Sequence, residues 1–322
     1  MHVTDTRRPQ DRPSPLGSPG AEIEFAAAPA TRNGAGAPIP RSSVIARAKT
    51  WVTAGNTLLL HNPANSEAAR TARRADGYRP DMTQGFEFAA SLAGGVEDRR
   101  GAWSFIQGFA AHWAGALESG DGWAETDLAA AEERLGVRLP AALREAYLLF
   151  GRRGDLTSNH DVLLSPSELY VDDAKEALVF RHENQGTASW GILLDSLQDD
   201  DPAVFIRPDL ADKSAERWEA WLERLSLCFV EIVLSESVQA DHELCDFLDP
   251  DDDSIELLEE NAVRLPFPAY PMGEEEQPIR WFLGRDALLR EDGMAVLARG
   301  RTAEDLDRVR DLIPGDWLND QR

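Results

Sequence analysis

The sequence has few cysteines and no long apolar segment. Cys228 and Cys245 are its only cysteines in 322 residues, too few for a disulfide scaffold, and a reducing cytoplasm is expected. Cys245 follows His242 by three residues, but a single such pair lacks the second pair of ligands that a structural zinc site requires. No run approaches about 18 apolar residues, and residues 1–20 lack the apolar core of a signal peptide. We therefore expect a cytoplasmic protein with no membrane span, cofactor or metal.

Basic residues are scarce after residue 95. Residues 1–95 carry 11 Lys and Arg against 8 Asp and Glu, whereas residues 96–322 carry 22 against 49, a net charge of −27. A surface this acidic repels nucleic acid and anionic lipid, and it accelerates encounter with basic proteins. The charge therefore favours a basic protein partner over nucleic acid or a membrane. An acidic surface that serves solubility alone is the alternative.

Catalytic motifs are also absent from the sequence. There is no Gly-rich phosphate loop, Gly-x-Ser-x-Gly elbow or His-Glu-x-x-His helix. His182 and Glu183 are interpreted as hydrogen-bonding residues of a turn, and Asp251–Asp253 lacks the glycine and the distal glutamate of a calcium loop. No acidic residue occurs in an apolar context that would raise its pKa for acid–base catalysis. We predict that the protein is not an enzyme.

Composition divides the chain into three parts. Residues 1–40 are rich in Pro, Gly, Ser and Ala and poor in large apolar residues, which predicts a disordered tail. Residues 41–95 form a small helical module, in which Ser42 and Ser43 are candidate helix caps. Residues 96–322 form the body.

One stretch of the module resembles papain-like cell-wall cysteine peptidases of actinobacteria. The segment Gly77–Asp81 and Phe86 match the sequence motif of that family, but Met82 occupies the position of the nucleophilic cysteine. A thioether neither ionises nor attacks a carbonyl. The resemblance implies a truncated, inactive remnant of a peptidase, and the alternative is an ordinary small helical linker.

The body alternates short extended and helical patterns. Apolar runs bounded by turn residues predict strands, and apolar residues three to four apart predict helices. The predicted strands are Val162–Leu164, Leu178–Phe180, Trp190–Leu194, Val204–Ile206, Ile279–Phe282 and Met294–Ala298. The predicted helices are Trp103–Leu117, one carrying Leu128, Ala131 and Leu135, one from Pro140 to Phe150, Ser214–Val238 with Trp218 and Trp221 on its buried face, Ile255–Val263 and Ala303–Leu312. These patterns predict an α+β fold with a mostly antiparallel sheet and flanking helices.

Three phrases of the body resemble the SUKH superfamily, whose bacterial members are mostly immunity proteins against secreted toxins. They are Leu135-Gly136-x-x-Leu139-Pro140, Glu183-Asn184-Gln185-Gly186 with Trp190-Gly191-Ile192, and Trp218-x-x-Trp221-Leu222. They follow one another in the order of the family, and the resemblance covers about residues 102–317. It implies a SUKH-like fold that captures a toxin domain, often a nuclease, and occludes its active site.

The residues predicted to bind such a partner are acidic triplets in predicted loops, chosen by charge and position because no family motif identifies them. A nuclease is basic since it must hold phosphates. The predicted partner-binding residues are Asp199, Asp200, Asp201, Asp251, Asp252, Asp253, Glu274, Glu275 and Glu276. Two rival interpretations stay open at this point. One is a regulatory or scaffold protein that binds a cellular protein through the same fold, and the other is a degenerate cell-wall peptidase.

Overall fold

The computed structural model describes residues 86–240, 243–270 and 278–320. The predicted tail, residues 41–85 of the predicted module and the acidic triplet Glu274–Glu276 lie outside the described residues. His242 also lies outside them, as does the peptidase-like stretch apart from Phe86.

Eight α-helices and eleven strands make up the described part of the chain, which confirms the predicted α+β class. The helices are α1 Phe88–Gly95, α2 Arg99–Trp113, α3 Glu125–Leu135, α4 Ala141–Phe150, α5 Gly154–Thr157, α6 Leu225–Val238, α7 Asp252–Asn261 and α8 Ala303–Leu312. The strands are β1 Val162–Leu163, β2 Tyr170–Val171, β3 Ala177–His182, β4 Ala188–Leu193, β5 Val204–Pro208, β6 Glu219–Leu222, β7 Cys245–Leu248, β8 Val263–Arg264, β9 Arg280–Gly284, β10 Ala287–Glu291 and β11 Val296–Gly300. None of these helices has the length and apolar character needed to cross a membrane.

The strands pair antiparallel, as predicted, but they form two sheets rather than the single sheet that the sequence pattern predicted. The N-terminal sheet has the order β1-β3-β4-β5-β6, and β2 also pairs with β3. The C-terminal sheet has the order β7-β11-β10-β9-β8. The predicted strand Trp190–Leu194 is β4, which lies at the centre of the N-terminal sheet. Its Ile192 lies opposite Leu178 of β3, and its Trp190 lies opposite Ile206 of β5.

Helix α6 is the centre of the body. All of its residues are buried, and it contacts the helices α2, α4 and α5 as well as strands of both sheets, β6, β10 and β11. A helix that is surrounded on every side must be apolar all round, and the run from Leu225 to Leu234 is apolar apart from Ser226 and Glu231. Both sheets are therefore positioned by contacts with one helix.

The C-terminal sheet is buried on both faces. On β10, Leu288 belongs to the main core, whereas its neighbour Leu289 belongs to a second core beneath α7 and α8. Leu258 of α7 and Leu306 of α8 complete that second core. Because alternate side chains of a strand point to opposite faces, one strand supplies both cores.

The predicted helix from Ser214 to Val238 is wrong over its first half. Residues Glu219–Leu222 form strand β6, which pairs with β5 so that Leu222 lies opposite Val204. The helix begins only at Leu225. The spacing of Trp218 and Trp221 suits a helix, but tryptophan also favours strands, and pairing with β5 decides the conformation.

Helix α1 is part of the main core. Leu92 is fully buried, and the ring of Phe88 lies 5.6 Å from the ring of Phe105 and 5.9 Å from that of Phe109, both on α2. Phe86, which matched the peptidase-like stretch, packs against the same helix, with its ring 6.0 Å from that of Phe105. The last residues of the predicted 41–95 module therefore contribute to the fold of the body.

The position of α1 predicts a sharp difference between two truncations. Deleting residues 1–95 removes Phe88 and Leu92 from the core and should lower Tm clearly, since burying each such side chain contributes about 1.5–3 kcal/mol. Deleting only residues 1–85 should leave a cooperatively unfolding body with the higher Tm. Thermal unfolding followed by circular dichroism checks both, and equal Tm values for the two truncations would contradict the prediction.

Trp221 should be a major contributor to stability although it lies on a strand. It is 9% exposed, and its ring lies 5.6 Å from that of Trp190 and 5.5 Å from that of Tyr270. Trp221→Ala should lower the free energy of unfolding by about 3–5 kcal/mol, measured by urea denaturation. Leu148→Ala is the matched control: Leu148 is 40% exposed, so its loss should be below about 1 kcal/mol. A loss that small at Trp221 would contradict the burial argument.

Candidate functional site

The first acidic triplet, Asp199–Asp201, divides into two exposed residues and one structural residue. Asp199 and Asp200 are exposed, and the Asp200 carboxylate lies 3.7 Å from Arg99. The carboxylate of Asp201 accepts hydrogen bonds from Ser226, from the backbone N–H at 2.8 Å and from the hydroxyl at 2.6 Å. Ser226 is in the first turn of α6, so Asp201 caps this helix from another segment of the chain.

The second triplet, Asp251–Asp253, was predicted in a loop, but it begins helix α7. Asp251 is the N-cap, and its carboxylate accepts from the backbone N–H of Ser254 at 2.8 Å and from its hydroxyl at 2.6 Å. These hydrogen bonds lower the pKa of Asp251. Asp252 and Asp253 occupy the first turn with exposed side chains, so they are available to a partner.

The outer face of α7 carries more exposed acidic residues than the sequence prediction named. Glu256, Glu259 and Glu260 continue the acidic surface, and the helix contains no Lys or Arg. Among the described residues, Glu259 pairs with Arg280, and the other exposed acids of the helix have no basic side chain within ion-pair distance. We call the exposed side chains of this helix the α7 acidic face: Asp252, Asp253, Glu256, Glu259 and Glu260.

The glutamates of the α7 acidic face are unfavourable for the helix, whereas Asp252 and Asp253 in its first turn favour the helix dipole. Like charges four residues apart repel, as Asp252 and Glu256 do, and glutamates in the last turn oppose the helix dipole. The neighbouring helix α8 offers little compensation. Its Arg308 pairs with Asp305 at 3.0 Å, and its Arg310 pairs with Asp246 at 2.6 Å. The glutamates of the acidic face therefore lower local stability, and the face stays available for a ligand of opposite charge.

A buried ionic cluster lies between the two sheets, and sequence reasoning missed it. The guanidinium of Arg181, on β3, is 1% exposed and lies 2.6 Å from the carboxylate of Glu236, 3.1 Å from that of Asp161 and 3.4 Å from that of Glu231. It also stacks 4.7 Å from the ring centre of Trp190. The expectation that no acidic residue sits in an apolar context is wrong, since burial raises the pKa of Asp161. The available signal was Glu231 and Glu236 within the apolar sequence of α6.

The cluster continues to the C-terminal sheet. The Tyr270 hydroxyl donates to Glu231 at 2.9 Å, and Ser235 also donates to Glu231. Arg290, on β10, donates to the Ser235 hydroxyl at 3.3 Å. Side chains from β3, α6 and β10 thus meet in one network, which ties both sheets to the central helix.

The predicted turn pair His182 and Glu183 has separate partners. His182 Nδ1 lies 3.0 Å from the Ser189 hydroxyl, and burial lowers the pKa of this histidine. The Glu183 carboxylate accepts from the backbone N–H groups of Gln185 at 2.7 Å and Thr187 at 3.0 Å, which holds the turn between β3 and β4. The two side chains are engaged in local structure rather than with each other.

No family model, no curated protein and no solved structure matches this chain significantly. Function therefore has to be inferred from the residues and their geometry. The candidate binding surface is formed by the exposed carboxylates of Asp199, Asp200 and the α7 acidic face. The buried cluster is too enclosed to meet a macromolecule directly.

The buried cluster predicts a pH-dependent loss of stability when its cation is removed. Arg181→Met should lower the free energy of unfolding by about 3–5 kcal/mol near neutral pH, because three carboxylates lose their shared guanidinium. The loss should shrink as the pH falls toward about 5, since burial raises the pKa of Asp161, which then binds a proton in the folded state and becomes neutral. Urea denaturation at both pH values measures this.

The control for this variant is Arg308→Met. Arg308 forms partly exposed pairs with Glu304 at 3.4 Å and Asp305 at 3.0 Å, so its loss should cost below about 1 kcal/mol at either pH. A loss for Arg181→Met that is equally small would show that the cluster contributes no net stability.

Proposed function

We propose that this chain is a non-catalytic, immunity-type binding protein that acts in the cytoplasm. Its SUKH-like body captures a basic toxin domain, often a nuclease in that superfamily, and occludes the toxin's active site. The observation that carries the proposal is the α7 acidic face. Its glutamates are unfavourable for the helix, and the face is exposed to a partner with almost no internal counter-charge among the described residues.

Charge complementarity gives this proposal a physical mechanism. A nuclease presents lysines and arginines to hold phosphates, and an acidic inhibitor offers carboxylates to the same side chains. The net charge of −27 over residues 96–322 attracts such a partner from a distance, which raises the association rate. The exposed carboxylates at Asp199, Asp200 and on α7 then supply the contacts.

The phrases that resemble the SUKH superfamily support the proposal through the fold. Gly136 ends α3 with a φ of 69°, a left-handed conformation that favours glycine. Gly191 lies on β4, where an added Cβ would come within 2.8 Å of the Trp218 ring. These residues maintain turns and packing, so the exposed charges are the residues expected to determine which partner binds.

The rival proposal, a regulatory or scaffold protein, differs in the partner rather than in the surface. Affinity purification from the native host, followed by mass spectrometry, identifies the partner. Immunity predicts a basic domain that arrests growth when expressed alone and does not arrest it when this chain is co-expressed. Capture of a cellular protein that does not affect growth would favour regulation and overturn immunity.

The partner's association rate should depend on the α7 acidic face. We expect association to slow steeply between about 50 and 500 mM salt, because screening shortens the reach of surface charge. Asp252→Lys/Asp253→Lys and Glu256→Lys/Glu260→Lys should each slow association further at low salt, as measured by stopped-flow or surface plasmon resonance. Both variants should keep a folded body, since exposed charges contribute little to stability.

The matched control is Asp173→Lys/Glu176→Lys. These two exposed acids lie in the turn between β2 and β3, and their reversal changes the net charge by the same amount. It should slow association less than either α7 variant. If all three variants slow association equally, only the net charge of the chain matters. If none of them changes the association rate and the rate does not depend on salt, the acidic surface serves solubility alone.

A further inference from the structure

The Asp161 end of the buried cluster has more negative charge than the described residues neutralise. Arg181 pairs with the three carboxylates of Asp161, Glu231 and Glu236. The second buried guanidinium, Arg290, reaches the Glu231 end through Ser235 and pairs with Asp292 at 3.6 Å. The Glu231 end also has the Tyr270 hydroxyl at 2.9 Å. At the Asp161 end the neighbouring carboxylate is Glu183, which has no Lys or Arg within ion-pair distance among the described residues. Uncompensated carboxylates in a partly buried site attract a cation.

A histidine accompanies these two carboxylates. His160, Asp161 and Glu183 each offer one ligand atom, and these atoms lie within 4.8 Å of one another. Asp161 is buried, Glu183 is half-buried and His160 is exposed, so the group runs from the core to the surface. In a tetrahedral zinc site with bonds near 2.0–2.1 Å, ligand atoms lie about 3.3 Å apart. Closing the group on an ion therefore requires rotation of Glu183 and of His160, whose ring nitrogens lie 3.1 Å from the side-chain amide of Asn184.

The backbone that carries these ligands is held in place by other bonds. The Glu236 carboxylate accepts from the backbone N–H groups of His160 at 2.6 Å and Asp161 at 3.2 Å. Glu183 uses only Oε2 to hold its turn, which leaves Oε1 available. The Oδ2 atom of Asp161 pairs with Arg181, and its Oδ1 atom accepts only a 3.3 Å hydrogen bond from the backbone N–H of Asn184. Each carboxylate thus keeps one weakly engaged oxygen.

We propose that His160, Asp161 and Glu183 bind a zinc ion. One imidazole nitrogen with two carboxylate oxygens suits zinc better than magnesium or calcium, which take oxygen ligands alone. Three protein ligands and a water complete the four-coordinate shell that zinc prefers. The ion neutralises the excess carboxylates and joins the α5–β1 loop to the turn between β3 and β4.

Isothermal titration of the full, chelator-treated chain with zinc chloride tests the proposal. The wild type should bind zinc saturably. His160→Ala and Glu183→Gln should each weaken this affinity by at least about tenfold, since even outer partners of metal ligands have effects of that size. Zinc should raise the Tm of the wild type but not that of His160→Ala.

His112→Ala is the control, because His112 is also partly exposed but lies outside this group. It should bind zinc as the wild type does. Circular dichroism of the metal-free variants verifies that they are folded. Absence of saturable binding in the wild type, unchanged affinity in both ligand variants, or tighter binding of magnesium than of zinc would each overturn the proposal.

Discussion

The contact between the Arg181 guanidinium and the carboxylates of α6 connects the parts of this structure. Arg181 belongs to β3, whereas Glu231 and Glu236 belong to the central helix, and Ser235 of that helix reaches Arg290 on β10. A buried ion pair adds little net stability compared with apolar packing, but an unpaired buried charge is very costly. The network therefore permits few arrangements of the two sheets around α6.

The acidic residues of the body fall into two groups with different physical roles. Asp201 and Asp251 accept hydrogen bonds at helix starts, and Glu231 and Glu236 pair with a buried guanidinium. The exposed acids of α7 have almost no internal partner among the described residues, and the glutamates among them reduce the stability of their own helix. The charge of this second group is not used in internal structure, so the net charge of the chain overstates its binding surface.

The sequence pattern located much of the fold. Helix α8 was predicted with its bounds, and the apolar runs at Trp190–Leu194 and Val204–Ile206 are β4 and β5. The sequence pattern failed at β6, because a Trp-x-x-Trp spacing is compatible with both a helix and a strand. Pairing with β5 makes this segment a strand. For the candidate site the sequence pattern found Asp199, Asp200, Asp252 and Asp253, but it did not distinguish them from the capping residue Asp201.

The sequence by itself determined the α+β class, the strongly acidic body and the alternation of strands and helices, because these follow from composition and from periodicity along the chain. Only the tertiary structure decided that the strands divide into two sheets around one buried helix. It also brought Asp161, Arg181 and Glu236 together from three distant segments. The physical reason is that pairing and charge compensation depend on distances in space, which local sequence patterns do not contain.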